Sequence, residues 1–289
     1  MEVDAVRRIG VVGAGTMGSQ IALVAALGGY DVALCGRTPE RLEATLGAAT
    51  RVLRRRVEKG TLAGDACEAA LARVTRTTEL ASAVEGADVV VETVAENAGV
   101  KERTFRELDA HAPAGAILAS NSSTMASSRF AACVSDPSRL LNVHFFNPAL
   151  TMRLVEVVRG PHTSEATVAC AMELVRRMGR TPVLVRRETF GFLVNRMLFI
   201  GMQEAFRLAE DGVVSREDAD LAVRNGLNWP MGPFELADLI GLDVTADILE
   251  QGAAQTGDPR WLPTPGLRAL VDAGRHGRKT GGGFFDHPR

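Results

Sequence analysis

The run Ile9-Gly10-Val11-Val12-Gly13-Ala14-Gly15-Thr16-Met17-Gly18 sets three glycines, Gly13, Gly15 and Gly18, between a β-branched stretch and a segment of helical period. In a strand-turn-helix unit the first glycine makes the tight turn, the second admits a pyrophosphate close to the backbone, and the third lets helix and strand pack closely. The helix N-terminus then offers unpaired N–H groups and a positive dipole end to the phosphates. A lone glycine fingerprint is a weak signal, but here a second β-rich run, Asp31–Leu34, ends about 20 residues further on, as a βαβ dinucleotide site requires. At the end of that run a carboxylate would hold the ribose 2′-hydroxyl of NAD, yet the chain reads Gly36-Arg37. Arg37 carries a permanent, forked charge suited to a 2′-phosphate. The sequence therefore favours NADP(H), with NAD(H) still possible. Against this stands Arg37 as a solvated loop residue, because Thr38-Pro39 supplies an N-cap and first-turn proline for the next helix.

A chain of 289 residues is long enough for two domains, each with its own core. Strands are expected at Arg8–Val12, Asp31–Leu34, Ala87–Val91, Ala116–Ser120, Leu140–Phe145, Leu154–Val158 and Thr181–Val185, alternating with helical segments. That alternation implies a mostly parallel sheet covered on both faces. From Thr189 the strands stop, and Phe192–Gly212, Arg216–Gly226, Pro233–Gly252 and Thr264–Gly274 read as helices closed by glycine. The expected fold is α/β, a Rossmann-type doubly wound sheet followed by an all-helical second domain. Residues 1–187 would bind the dinucleotide and residues 188–289 would form the helical domain.

Composition narrows the partners. A net charge of −2, from 33 basic and 35 acidic residues, gives no reason to expect nucleic acid or an anionic membrane. Cys35, Cys67, Cys133 and Cys170 form no C-x-x-C pair, so no metal site is expected and the thiols read as reduced. With no signal-like h-region and no apolar run of membrane length, a cytoplasmic protein is expected. The helix from Pro39 to about Lys59 gathers Arg51, Arg54, Arg55, Arg56 and Lys59, which reads as a solvated face or as a site for a phosphate-bearing carrier. The glycine-rich tail from Gly277 to Phe284 follows a helix, and is no P-loop.

His144 ends a predicted strand, in Asn142-Val143-His144-Phe145-Phe146-Asn147-Pro148, where ligands gather in doubly wound sheets. Twelve residues on, Glu156 sits in the otherwise apolar Leu154-Val155-Glu156-Val157-Val158. A carboxylate there is costly unless paired. A hairpin-like return through Pro148 and Thr151 would bring the two together, so that Glu156 orients one imidazole nitrogen and the other exchanges a proton with substrate. The plainer reading of His144 is a satisfied core histidine. His111, His162, His276 and His287 read as surface residues. Ser120-Asn121-Ser122-Ser123-Thr124 caps a strand, and Asn195-Arg196 interrupts the first apolar helix of the second domain; spacing alone does not join either to His144.

Taken in order, these motifs resemble the L-3-hydroxyacyl-CoA dehydrogenases, including the bacterial 3-hydroxybutyryl-CoA dehydrogenases. The similarity covers almost the whole chain. It runs through the glycine fingerprint, Val90-Val91-Glu92 to Glu96-Asn97, Ser120-Asn121-Ser122-Ser123, the His144 and Glu156 segments, Gly191-Phe192-Leu193-Val194-Asn195-Arg196, Pro230-Met231-Gly232-Pro233-Phe234-Glu235 and the glycine-rich tail. The resemblance implies that His144 is the general acid/base, that Glu156 orients it, and that Ser123 and Asn195 hydrogen-bond the substrate oxygen. It also implies that Gly13, Gly15, Thr16, Met17, Gly18, Gly36, Arg37 and Asn121 border the cofactor, with Glu96 and Lys101 on its nicotinamide-ribose side. Arg54 and Arg55 lie where the family approaches the nucleotide part of coenzyme A. The second domain would close over the acyl-CoA and form a homodimer.

Departures from the family pattern set the remaining expectations. The family's acid is missing at Gly36, and Ala149-Leu150-Thr151 replaces a Val-Pro-Val-like run. The leading expectation is interconversion of a (3S)-3-hydroxyacyl thioester and a 3-oxoacyl thioester. A second is oxidation of a short hydroxyacyl unit, glyceryl-like, carried on an acyl-carrier protein. A third, a non-catalytic dinucleotide-binding protein, requires a broken catalytic set, and Ser123, His144, Glu156 and Asn195 are all present.

Overall fold

β-branched residues build the sheet. The structure, a computed structural model, describes residues 3–287. Its chain divides into two compact units, one running up to Thr189 and the other starting at Phe190. The first unit holds β1 (Arg8–Val12), β2 (Asp31–Cys35), β3 (Val74–Thr77), β4 (Val89–Glu92), β5 (Ile117–Ser120), β6 (Leu140–Phe145), β7 (Leu154–Val158) and β8 (Thr181–Val185). They form one sheet in the order β3-β2-β1-β4-β5-β6-β7-β8. All pairs are parallel except β6 with β7. Alternate side chains serve opposite faces: Val89 and Val91 join one core with Ile9, Val11 and Ile21, whereas Val90 joins the other with Phe105 and Leu118.

Helices α1 (Thr16–Leu27), α2 (Pro39–Glu58), α3 (Gly64–Ala72), α4 (Leu80–Val84), α5 (Ala98–His111) and α6 (Glu165–Arg177) complete this unit. Helix α1 is buried from Gly18 to Ala26, so its residues there are apolar or small all round except Gln20, which accepts from Leu150 N–H. After β3 the chain returns to the far side of β1, so strand order reverses between β1 and β4. Ligands bind at such a switch point, at the carboxyl ends of the strands.

Every strand expected from the sequence is present, with bounds shifted by up to two residues. One strand was not legible. β3 reads Val-Thr-Arg-Thr at the sheet edge, and its partly exposed positions leave no apolar run to detect.

The second unit is helical: α7 (Val194–Glu210), α8 (Arg216–Gly226), α9 (Pro233–Ile240), α10 (Leu242–Thr256) and α11 (Pro265–Asp272). The single helix expected over Pro233–Gly252 is two, because Gly241 takes φ +108° and ends the first. Apolar periodicity continues through that break, so the pattern hid it. The core of this unit is aromatic: Phe206, Phe234 and Phe284 pack with ring centroids 4.8–5.1 Å apart, and Phe190 meets the fully buried Trp261 edge-on. Burying each such ring contributes about 1.5–3 kcal/mol relative to exposure. Among the described residues no helix is long and apolar enough to cross a membrane.

Candidate active site

The fingerprint glycines divide their work as the local backbone requires. Gly13 has φ +113°, and a Cβ there would fall 2.6 Å from the Thr93 backbone. A Cβ on Gly18 would lie 1.9 Å from the Gly13 carbonyl oxygen, so only glycine lets α1 start this close to β1. At Gly15 a Cβ would meet nothing within 4 Å. That glycine, the N-cap of α1, borders open space in a cleft of about 520 Å³. Thr16 and Met17 occupy the first turn beside it.

The same cleft is lined by Gly36, Arg37, Arg41 and Arg103. Gly36 is closed to any side chain: its Cβ would stand 2.7 Å from Leu42 Cγ and 2.8 Å from Ala14 Cβ. The three arginines are exposed, and among the described residues no guanidinium of the three forms an ion pair or donates a hydrogen bond. Sequence reasoning found Arg37 but missed Arg41, one turn into α2, and Arg103, whose place on the separate helix α5 no local pattern reveals. Cys35 also lines the cleft, and burial, with the nearby Glu79 and Glu107, pushes its thiol up to about 11. It stays protonated and is no nucleophile.

At the carboxyl end of β6, the same end of the parallel strands, the antiparallel register with β7 sets His144 directly opposite Glu156. Their side chains meet, Nδ1 to Oε2, at 2.8 Å. Glu156 is fully buried and His144 is 5% exposed, so the pair sits in a low dielectric with the ring of Phe146 tilted against the imidazole. A carboxylate on Nδ1 holds the imidazole proton on that nitrogen and so fixes the tautomer.

Two asparagines tie the segment after β5 to the histidine strand. Phe145 N–H donates to Asn121 Oδ1 at 2.9 Å. Buried Asn142 accepts from Ser127 N–H and donates to the Met125 carbonyl. Asn142 was a legible signal, a polar residue inside an apolar strand, that sequence reasoning passed over.

Between these ties the chain is held by carboxylates. Glu96 accepts from the hydroxyls of Ser122 and Thr124, on either side of Ser123. The Ser123 hydroxyl itself has no hydrogen-bond partner among the described residues. Lys101 is 1% exposed, and its ammonium lies 2.7 Å from Glu92 and 3.2 Å from Glu96. Burial pushes Glu92 above the ordinary carboxylate range. For Glu96, burial pushes upward, but the Lys101 charge and the Ser122 and Thr124 hydroxyls together hold it below that range.

Arg54 and Arg55 stand on the exposed face of α2, while Arg56 turns to the Leu150 carbonyl at 3.4 Å. Asn195 is in the first turn of α7 in the second unit. Among the described residues no group of three or more His, Cys, Asp or Glu side chains is placed to hold a metal ion.

Residues 8–189 match the 3-hydroxyacyl-CoA dehydrogenase NAD binding domain, and residues 191–287 match the 3-hydroxyacyl-CoA dehydrogenase C-terminal domain. The chain belongs to the 3-hydroxyacyl-CoA dehydrogenase family. Within the family, it is 40% identical over 282 residues to a probable 3-hydroxybutyryl-CoA dehydrogenase of Bacillus subtilis, covering 98% of both chains. It is 38% identical to the 3-hydroxybutyryl-CoA dehydrogenase of Bradyrhizobium diazoefficiens, over 98% of this chain and 96% of that one. Among solved structures, (S)-3-hydroxybutyryl-CoA dehydrogenase PaaH1 from Ralstonia eutropha superposes with a TM-score of 0.94 at 34% identity, covering 99% of this chain and 100% of its own. The doubly wound sheet followed by helices is therefore the family's fold, as the sequence resemblance implied.

Proposed function

We propose that this protein interconverts (3S)-3-hydroxyacyl-CoA and 3-oxoacyl-CoA thioesters, with a short acyl group such as 3-hydroxybutyryl, using NADP(H) in preference to NAD(H). The buried His144–Glu156 pair carries the reading. A nicotinamide dinucleotide, when bound, supplies or accepts the hydride. It would be held by Gly13, Gly15 and the first turn of α1, with Arg37 and Arg41 toward its adenosine ribose; the turn that a Cβ would block at Gly13 and Gly18 fits such a group. In the oxidative direction His144 Nε2 takes the proton of the C3 hydroxyl, and in the reductive direction it returns a proton to the carbonyl oxygen. Glu156 fixes the tautomer and stabilises the imidazolium while it exists. Ser123 donates to the same oxygen, and Asn195 is proposed as a second donor to it. Arg54 and Arg55 are proposed to meet the nucleotide phosphates of coenzyme A. The relatives reported above are named for CoA thioesters, which favours coenzyme A over a carrier protein.

Reduction of acetoacetyl-CoA tests the reading. The expected product is (S)-3-hydroxybutyryl-CoA, formed with kcat/KM of about 10⁴ M⁻¹s⁻¹ or more. Absence of turnover with both NADPH and NADH would sink it.

A homodimer is proposed through the second unit, because among the described residues ten of the twelve exposed large apolar side chains lie there, including Met197, Val213, Leu221 and Leu227. Light scattering is expected to give the mass of two chains, and Met197→Glu combined with Leu227→Glu the mass of one. A single-chain mass for the unmodified protein at micromolar concentration would contradict this.

A further inference from the structure

A second polar group stands on the sheet face that carries His144, and the chemistry proposed above leaves it unused. Side chains alternate along β6, so Asn142 and His144 share a face. Asn142 accepts from Ser127 N–H at 2.8 Å and donates to the Met125 carbonyl at 3.0 Å, which lays the segment after Ser123 against the histidine strand. Ser127 opens a short 3₁₀ helix, Ser127–Cys133, and is fully buried. Its hydroxyl donates to Glu188 Oε1 at 2.7 Å, and Ser128 N–H donates to the same oxygen at 2.9 Å. His162 Nε2 lies 3.5 Å from the Ser127 oxygen. A Cβ on Gly160 would stand 2.7 Å from that oxygen and 2.6 Å from His162 Cε1, so glycine lets the turn after β7 come this close. A serine beside a histidine suggests a nucleophile, but this hydroxyl is committed to a carboxylate and no part of Ser127 is open to a substrate. What the group does is tie distant segments together. Glu188 lies three residues beyond β8 and directly before Thr189, the last residue of the first unit. The chain therefore leaves that unit from a point held to the segment that follows Ser123, and Asn195 comes seven residues later.

We propose that Glu188 is a positioning residue that fastens the exit of the chain from the first unit to the segment bearing Ser123. One carboxylate oxygen then holds the Ser123 segment in place and anchors the start of the linker that leads to Asn195. The proposal rests on the thioester dehydrogenase reading for the roles of Ser123 and Asn195, while the tie itself is read without any substrate.

The test compares three variants. Glu188→Ala removes the acceptor, Glu188→Gln keeps an acceptor oxygen for Ser127 and Ser128, and Ser127→Ala removes one donor. The quantities measured are kcat and KM on acetoacetyl-CoA, the NADPH dissociation constant by direct titration, and amide hydrogen exchange across residues 122–129 and 186–194. Displacing a positioned group by about 1 Å costs up to about 10²-fold, so kcat of Glu188→Ala is expected to fall about 10- to 100-fold. Ser127→Ala should fall by about three- to tenfold, because Ser128 N–H keeps its acceptor, and Glu188→Gln should stay within about threefold of the parent. Adding Ser127→Ala to Glu188→Ala should cost little more, since both remove one contact. The NADPH dissociation constant should stay within about threefold throughout, because neither residue lines the cofactor cleft. Exchange at Ser128 and its neighbours is expected to quicken about tenfold or more in Glu188→Ala as local opening becomes easier. Quickened exchange with parental kcat would leave a purely structural tie and overturn the proposal. Unchanged exchange in Glu188→Ala would overturn it too, as would a Glu188→Gln variant as slow as Glu188→Ala. If Glu188→Ala does not fold, Ser127→Ala carries the comparison, and parental kcat and exchange there reject the tie. A parent protein that turns over no thioester, with exchange quickened as expected, would remove the functional reading and the positioning role with it, and leave the tie standing.

Discussion

Replacing His144 by glutamine is expected to lower kcat on acetoacetyl-CoA by about 10²- to 10⁴-fold, the usual contribution of a positioned general acid/base. Glutamine retains hydrogen-bonding capacity toward Glu156 but offers no group that takes and returns a proton near neutral pH. Cofactor affinity should barely move, because His144 lies at the end of β6 and is not among the residues lining the cofactor cleft. Glu156→Gln is expected to cost about 10²-fold or more, because an amide no longer enforces the proton on Nδ1 or stabilises the imidazolium. The two losses should not add, since both act through one proton transfer. Steady-state kinetics with acetoacetyl-CoA at saturating cofactor decide the matter. A drop of less than about tenfold for His144→Gln would reject general acid/base work.

The second large effect concerns cofactor choice. With Gly36 crowded by Leu42 and Ala14, and with Arg37, Arg41 and Arg103 along the cleft unpaired among the described residues, the protein is expected to use NADPH with higher kcat/KM than NADH. A hydrogen bond to a charged group contributes about 1.5–3 kcal/mol, so removing Arg37 and Arg41 together should lower kcat/KM for NADPH about 10²-fold or more. The value for NADH should hardly change. Raising the salt concentration should weaken NADPH more than NADH, because the interaction is between exposed charges. Equal or better kcat/KM with NADH in the unmodified protein would overturn the preference. Introducing an acid by Gly36→Asp should fail to recruit NADH, because its Cβ would crowd both Leu42 Cγ at 2.7 Å and Ala14 Cβ at 2.8 Å.

Much of this was legible in the residues. The glycines and the β-branched runs specify the doubly wound sheet because both faces of a parallel strand are buried. The polar edge strand β3 lacks that signature and escaped notice. His144 and Glu156 were legible as a pair because a carboxylate in an apolar strand demands a partner. The pairing of Glu92 with Lys101 and Ser120 was not, although Glu92 stands at the end of an apolar strand just as conspicuously. Its partners, Lys101 and Ser120, come from two other elements, and sequence spacing carries no information about which strand ends become neighbours. Arg103 was hidden for the same reason. The break at Gly241 was invisible because apolar period survives a change of helix axis.

The pairing of β6 with β7 also makes the length of the connection between them part of the chemistry. His144 faces Glu156 because the eight residues from Phe146 to Arg153 deliver β7 in one particular register. Side chains alternate along a strand, so inserting or deleting one residue in a way that slid β7 by one position would turn Glu156 to the opposite face of the sheet and bring Val155 or Val157 across from the histidine. That connection can vary in composition, as Ala149-Leu150-Thr151 illustrates, far more freely than it can vary in number. Descendants of this gene can reshape the residues beside the histidine by substitution, but not by gaining or losing a codon that shifts the strand.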